Sequence, residues 1–150
     1  MEYKGRAQCL VVRDKKILMV RHTHGGDEWY CSPGGGIEKG ETPGQAALRE
    51  LREECNVSGT IIKQTSVYAD PYSDNIFFYT YHIDIGDQVP SLGYDPELEN
   101  QILTEVRFMR LDEITEVDRA FLWASGLLSI REFADVLDTW AREISCPGNR

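Results

Sequence analysis

The sequence predicts an α/β fold, a sheet covered on both faces by helix, and three observations predict it. Short β-prone apolar runs stand on both sides of one well-capped helix in the first half of the chain. A segment near the C-terminus repeats its apolar residues at helical spacing. The chain has 150 residues, 41% hydrophobic and 27% charged, so it suits a single domain with its own core, expected over 1–150.

Taken in order, residues 7–12 and 17–21 are apolar runs separated by Arg13-Asp14-Lys15-Lys16, and they read as a hairpin. Residues 22–27 are polar and contain glycine, and a loop is expected there. Trp29-Tyr30 leads into Pro33-Gly34-Gly35-Gly36, where missing Cβ atoms allow a sharp turn and a close approach to a ligand. Pro43 to Cys55 is predicted as a helix. Thr42 can cap it, Pro43 suits its first position and Gln45 completes a T-x-x-Q capping box. Strands are expected at 60–68 and 76–83, a loop at 86–100 and a strand at 105–111. Residues 118–144 are helical in character, with Ile130, Phe133, Leu137, Trp140 and Ala141 on one face, and Cys146-Pro147-Gly148 ends the run.

The formal net charge of −9 argues against nonspecific binding to nucleic acid or to an anionic membrane. No apolar run approaches the roughly 20 residues of a membrane span. The start, Met1-Glu2-Tyr3-Lys4, lacks the pattern of a secretory signal, so a cytoplasmic address is expected. Cys9, Cys31, Cys55 and Cys146 are scattered, form no C-x-x-C pair, and read as reduced. An anionic substrate would need its charge offset locally, which divalent cations can do.

The central helix sorts its side chains by charge. At about 100° per residue, Glu50, Glu53 and Glu54 share an arc of about 100°, beside an apolar sector holding Ala47, Leu48, Leu51 and Cys55. Like charges at these spacings repel, and the C-terminal end of a helix disfavours anions. A solvated acidic face and a divalent-cation site both explain such an arc. Oxygen ligands converging on one patch are what Mg²⁺ or Mn²⁺ requires.

Together with the glycines upstream, these residues resemble the Nudix box, G-x5-E-x7-R-E-U-x-E-E-x-G-U, where U is a bulky apolar residue. Gly35 opens it, Glu41 follows, and Arg49-Glu50-Leu51-Arg52-Glu53-Glu54-Cys55-Asn56-Val57 closes it. One position departs: Asn56 stands where the family usually has glycine. That residue ends the helix in a left-handed conformation, which asparagine tolerates next best.

The resemblance implies an α/β/α sandwich with a mixed sheet. It also implies a hydrolase that cleaves a phosphoanhydride bond in a nucleoside diphosphate derivative with Mg²⁺ or Mn²⁺. Glu50, Glu53 and Glu54 would be metal ligands, joined by a carbonyl of Gly34, and Glu53, Glu54 and Arg49 would serve the catalytic step. Arg49 would orient the glutamates, while Arg52 reads as a surface residue. Glu41 would be a structural anchor and Glu38 an outer ligand. The general base is a box glutamate or a later carboxylate: Glu97, Glu99 or Glu105. Arg21, Gly35 and Tyr72 are expected near substrate, with His22 and His24 at the same strand end. Pro71-Tyr72 lies close to two substrate conventions of the family and decides neither. A small-molecule nucleotide is the expected partner, and Trp123, Leu127, Leu128 and Trp140 could support a homodimer in place of a monomer. A binding module without catalysis commonly loses box glutamates, whereas this sequence keeps them all.

Overall fold

A computed structural model of the chain describes residues 2–94 and 102–136. Glu97, Glu99, Leu137, Trp140, Ala141 and Cys146 lie outside the described residues. Eight strands and two α-helices are described: β1 (Gly5–Leu10), β2 (Val12–Arg13), β3 (Lys16–His24), β4 (Asp27–Cys31), β5 (Gly34–Gly36), α1 (Pro43–Cys55), β6 (Thr60–Ala69), β7 (Phe77–Asp84), β8 (Ile102–Met109) and α2 (Glu116–Ala124). Short 3₁₀ turns follow at Leu111–Glu113, Leu127–Ser129 and Arg131–Phe133.

The strands form two sheets. One is mixed, in the order β5-β1-β7-β6, with β1 and β7 parallel and the other pairs antiparallel. The other is antiparallel, with β3 paired to β2, β4 and β8. Side chains alternate along a strand, and the core divides accordingly. Ala7, Cys9 and Val11 with Leu18 and Val20 pack against Ala46, Ala47, Leu51 and Cys55 of α1. Leu10, Ile17, Met19 and Met109 pack against Leu122 of α2 and against Leu127, Ile130 and Phe133 beyond it. Strands β1 and β3 are therefore covered on both faces, as an α/β/α arrangement requires. Each fully buried Leu or Ile contributes about 1.5–3 kcal/mol.

The helix at Pro43–Cys55 forms with the expected bounds. Thr42 accepts from the Gln45 N–H, Gln45 Oε1 accepts from the Thr42 N–H, and Asn56 closes the C-terminus in the left-handed region at φ 56°. Elsewhere the structure corrects the sequence reading. Residues 22–27 are no loop: β3 runs on to His24, β4 begins at Asp27, and only Gly25 and Gly26, both with positive φ, make the turn. Two-residue hairpins favour positive φ because it matches the strand twist. Asp14 and Lys15 make the β2–β3 turn in the same way. Within the helical segment expected over 118–144, α2 ends at Ala124, Gly126 at φ 86° turns the chain into 3₁₀ structure, helix is taken up again at 135–136, and 137–144 lie outside the described residues. Leu127 is fully buried, so it belongs to the core and not to a dimer surface. Among the described residues no helix is long and apolar enough to cross a membrane. Cys9, Cys31 and Cys55 are free thiols.

Candidate active site

Gly34-Gly35-Gly36, read from the sequence as a sharp turn, is a strand. β5 pairs antiparallel with β1, and none of the three glycines has positive φ. Glycine is required here for close approach. A Cβ on Gly35 would fall 2.3 Å from Glu50 Oε1, and one on Gly34 would fall 2.4 Å from the Ala7 carbonyl oxygen. Cys9 N–H donates to Pro33 O and Ile37 N–H to Gly5 O, so odd-numbered residues of this strand pair with β1. The peptide groups of Gly34 and Gly36 consequently face away from β1. They meet α1: Gly34 N–H donates to Glu54 Oε1 at 2.8 Å, and the Gly36 carbonyl accepts from Arg49 at 2.9 Å.

Arg49 is the hub of the site. Its guanidinium donates to Glu41 through Nε at 2.7 Å and through a terminal nitrogen at 2.9 Å, a two-point fork. It also donates to Glu50 Oε1 at 2.9 Å and to Glu53 Oε2 at 3.3 Å, and it lies 3.8 Å from Glu38. Glu41 in turn accepts from the Glu38 N–H, which fixes the turn ahead of the helix. The Arg49 hydrogen bond holds the Glu41 carboxyl below its ordinary value, and the surrounding carboxylates raise Arg49, Glu41 first. Glu50 and Glu54 are fully buried, while Glu53 keeps about a quarter of its side chain exposed, at 26%.

Four carboxylates thus gather around one guanidinium, Glu38, Glu41, Glu50 and Glu53, and the buried Glu54 is held beside them by the Gly34 N–H. That leaves a concentrated negative charge in partly desolvated surroundings, which is costly without further cations. The donors are oxygens throughout, the type that hard divalent cations take. The glycine strand leaves room beside Glu50 that any side chain would fill. The residues present therefore fit Mg²⁺ or Mn²⁺. Among the described residues no three His, Cys, Asp or Glu side chains already stand together as a group that could hold a metal ion; Glu50 and Glu53 accept hydrogen bonds from Arg49.

Of the remaining residues expected at the site, His22 is brought in. It is buried, its ring stacks on Trp29 with centroids 5.6 Å apart, and its Nε2 lies 4.0 Å from Glu54 Oε2. Arg21, one residue earlier on β3, pairs with Glu28. His24 closes β3 opposite Asp27. Glu105 accepts from the Tyr30 hydroxyl at 2.8 Å and pairs with Arg107 at 3.0 Å. Tyr72 stands in the turn after β6, 94% exposed, and joins neither the Arg49 cluster nor the cavity described next.

A cavity of about 420 Å³ lies next to β5, lined by Met19, Trp29, Tyr30, Val117 and Phe121, with Arg6, Gln8 and Asp118 as polar groups. Cys31 and Ser32 also line it, two residues before Gly34 contacts Glu54. Cavity and carboxylates thus flank one short segment. The Cys31 thiol registers both: burial pushes it up to about 12, with Glu54 and Asp118 adding to the rise. Sequence reasoning missed this cavity. Its available signal was Val117 and Phe121, an i,i+4 apolar pair that the core does not use, 68% and 62% exposed.

Comparison with known proteins identifies the family and the fold. A model of the NUDIX domain matches residues 3–128. Human diphosphoinositol polyphosphate phosphohydrolase 3-alpha is 34% identical over 86 residues, covering 55% of this chain and 52% of that protein. The chain therefore spans about half the length of that relative. A NUDIX hydrolase from Nitrosomonas europaea superposes with a TM-score of 0.63 at 22% identity, covering 79% of this chain and 78% of that one. A UDP-X diphosphatase superposes with a TM-score of 0.60 at 19% identity, covering 82% and 62%. With the family model spanning both sheets, the glycine strand and the glutamate helix, the chain belongs to the NUDIX domain family.

Proposed function

We propose that this protein is a Mg²⁺- or Mn²⁺-dependent hydrolase that cleaves a phosphoanhydride bond in a nucleoside diphosphate derivative, working as a single domain. The observation that carries the reading is that Arg49 draws Glu50 and Glu53 together while Glu54, buried like Glu50, is held against a strand of glycines. Glu50, Glu53, Glu54 and the Gly34 carbonyl would hold the cation. When bound, it would supply charge neutralisation and Lewis acidity at the phosphate chain. Arg49 and Glu41 keep the glutamates in place, and Gly34 N–H holds Glu54 through one oxygen. To Glu53, the most exposed of the three glutamates, we assign the role of taking a proton from the attacking water. Glu99 and Glu97 remain alternatives for that role, while Glu105 is engaged by Tyr30 and Arg107.

The cavity supports a substrate with a flat apolar group. Trp29, Tyr30 and Phe121 offer aromatic surface for a nucleobase, and Gln8 and Asp118 offer hydrogen-bonding edges to it. The 34% identity to a diphosphoinositol polyphosphate phosphohydrolase favours a second reading, an inositol carrying many phosphates. Such a ligand needs a cationic pocket, and this cavity is lined by Arg6 together with the acidic Asp118. The nucleotide reading fits better.

A panel of nucleoside triphosphates, nucleotide sugars, dinucleotides and diphosphoinositol polyphosphates, incubated with Mg²⁺ or Mn²⁺, tests it through released phosphate. Turnover concentrated on nucleotides is expected. Preference for the inositol compounds would transfer the assignment to the second reading. Nucleotide binding without turnover under either metal would make the protein a binding module.

A further inference from the structure

The last turn of a helix presents backbone carbonyls that lack partners within the helix, and its partial negative charge disfavours carboxylates nearby. Glu53 and Glu54 stand at that end of α1. Residues 91–94 lie across it and supply the missing donors. Ser91 N–H donates to Cys55 O at 3.0 Å, Gly93 N–H to Glu54 O at 2.8 Å and Tyr94 N–H to Glu53 O at 2.9 Å. The fit is close: a Cβ on Gly93 would lie 1.8 Å from the Glu53 carbonyl oxygen. Asn56 ties the segment down, its Nδ2 donating to Ser91 Oγ and to Leu92 O, each at 3.1 Å. Glycine would serve the left-handed backbone at position 56 at least as well. What asparagine adds there is the amide.

We propose that residues 91–94 form a clasp that positions the two C-terminal glutamates of α1, with Asn56 and Gly93 as its positioning residues. The three N–H donors quench the negative end of the helix and fix the backbone from which Glu53 and Glu54 project. The inference rests on the reading that these glutamates hold a divalent cation. It adds that cation affinity is set in part by a loop outside the glycine–glutamate motif.

The test is direct Mn²⁺ binding, by electron paramagnetic resonance, to the wild type, Asn56→Gly and Gly93→Ala, all measured well below their melting temperatures. Amide hydrogen exchange at Gly93 and Tyr94 is followed in parallel. Asn56→Gly should fold, exchange those amides faster and bind Mn²⁺ about fivefold more weakly, the size of one net hydrogen bond. Gly93→Ala should lose more than about tenfold, since its Cβ forces the segment off the helix. Wild-type affinity in Asn56→Gly, with the amides either loosened or still protected, overturns the clasp. A wild type that takes up no Mn²⁺ contradicts the metal reading itself, so the two failures are distinguishable.

Discussion

Glu41 shows how the site divides labour at the scale of single residues. It makes the two-point contact with Arg49, and Arg49 in turn reaches Glu50 and Glu53. An anchor of this kind has a pH signature. The Arg49 hydrogen bond lowers the Glu41 carboxyl in the folded protein below its ordinary value of 4.5. A depressed folded-state value means that the stabilisation is fully present above the ordinary value and is lost as pH falls through the lowered one. Glu41→Gln should therefore destabilise the protein at neutral pH by about 1.5–3 kcal/mol, the range for a hydrogen bond to a charged group. Urea titrations of both proteins from pH 7 down to pH 3 check this. The difference should shrink steadily below pH 4.5, and a gap that is constant or grows with acid contradicts the assignment.

Individual elements differ in how much of themselves the sequence displays. α1 was legible to its ends because a capping box, an N-terminal proline and an αL-tolerant asparagine all mark one segment. Thr42→Ala removes the cap and should cost about 1 kcal/mol, read as a lower urea midpoint with an unchanged slope. β5 was hidden because glycine carries no side-chain alternation. What makes Gly34–Gly36 a strand is its pairing with Gln8, Ala7 and Arg6, far away in sequence. The distal half of the β3–β4 hairpin was misread because its polar residues extend beyond the core, where period-2 burial fades. The glycine pair at 25 and 26 was the signal available there. The expected C-terminal helix is interrupted after Ala124 because the turn at Gly126 packs against Thr65 on β6, a tertiary cause.

For the molecule as a whole, the fold brings together two things that lie apart in the chain. The carboxylate cluster sits on α1 at the face of the mixed sheet, and the aromatic cavity draws on β1, β4 and α2. The motif residues were legible because their spacing is local. The cavity was not, because Arg6, Trp29 and Phe121 converge only once both sheets have formed. Tyr72 illustrates the converse, a residue attractive by position alone that the fold leaves in solvent. The account depends on the charge of the α1 glutamates. Glu54→Gln keeps the side chain's shape and its acceptor for the Gly34 N–H while removing the negative charge, so the most direct measurement is Mg²⁺-dependent turnover of this variant on the best substrate of the panel. The account predicts a fall in kcat of at least about a hundredfold, on the scale of losing a catalytic electrostatic contact, with thermal stability preserved. Full wild-type turnover at every Mg²⁺ concentration would contradict it.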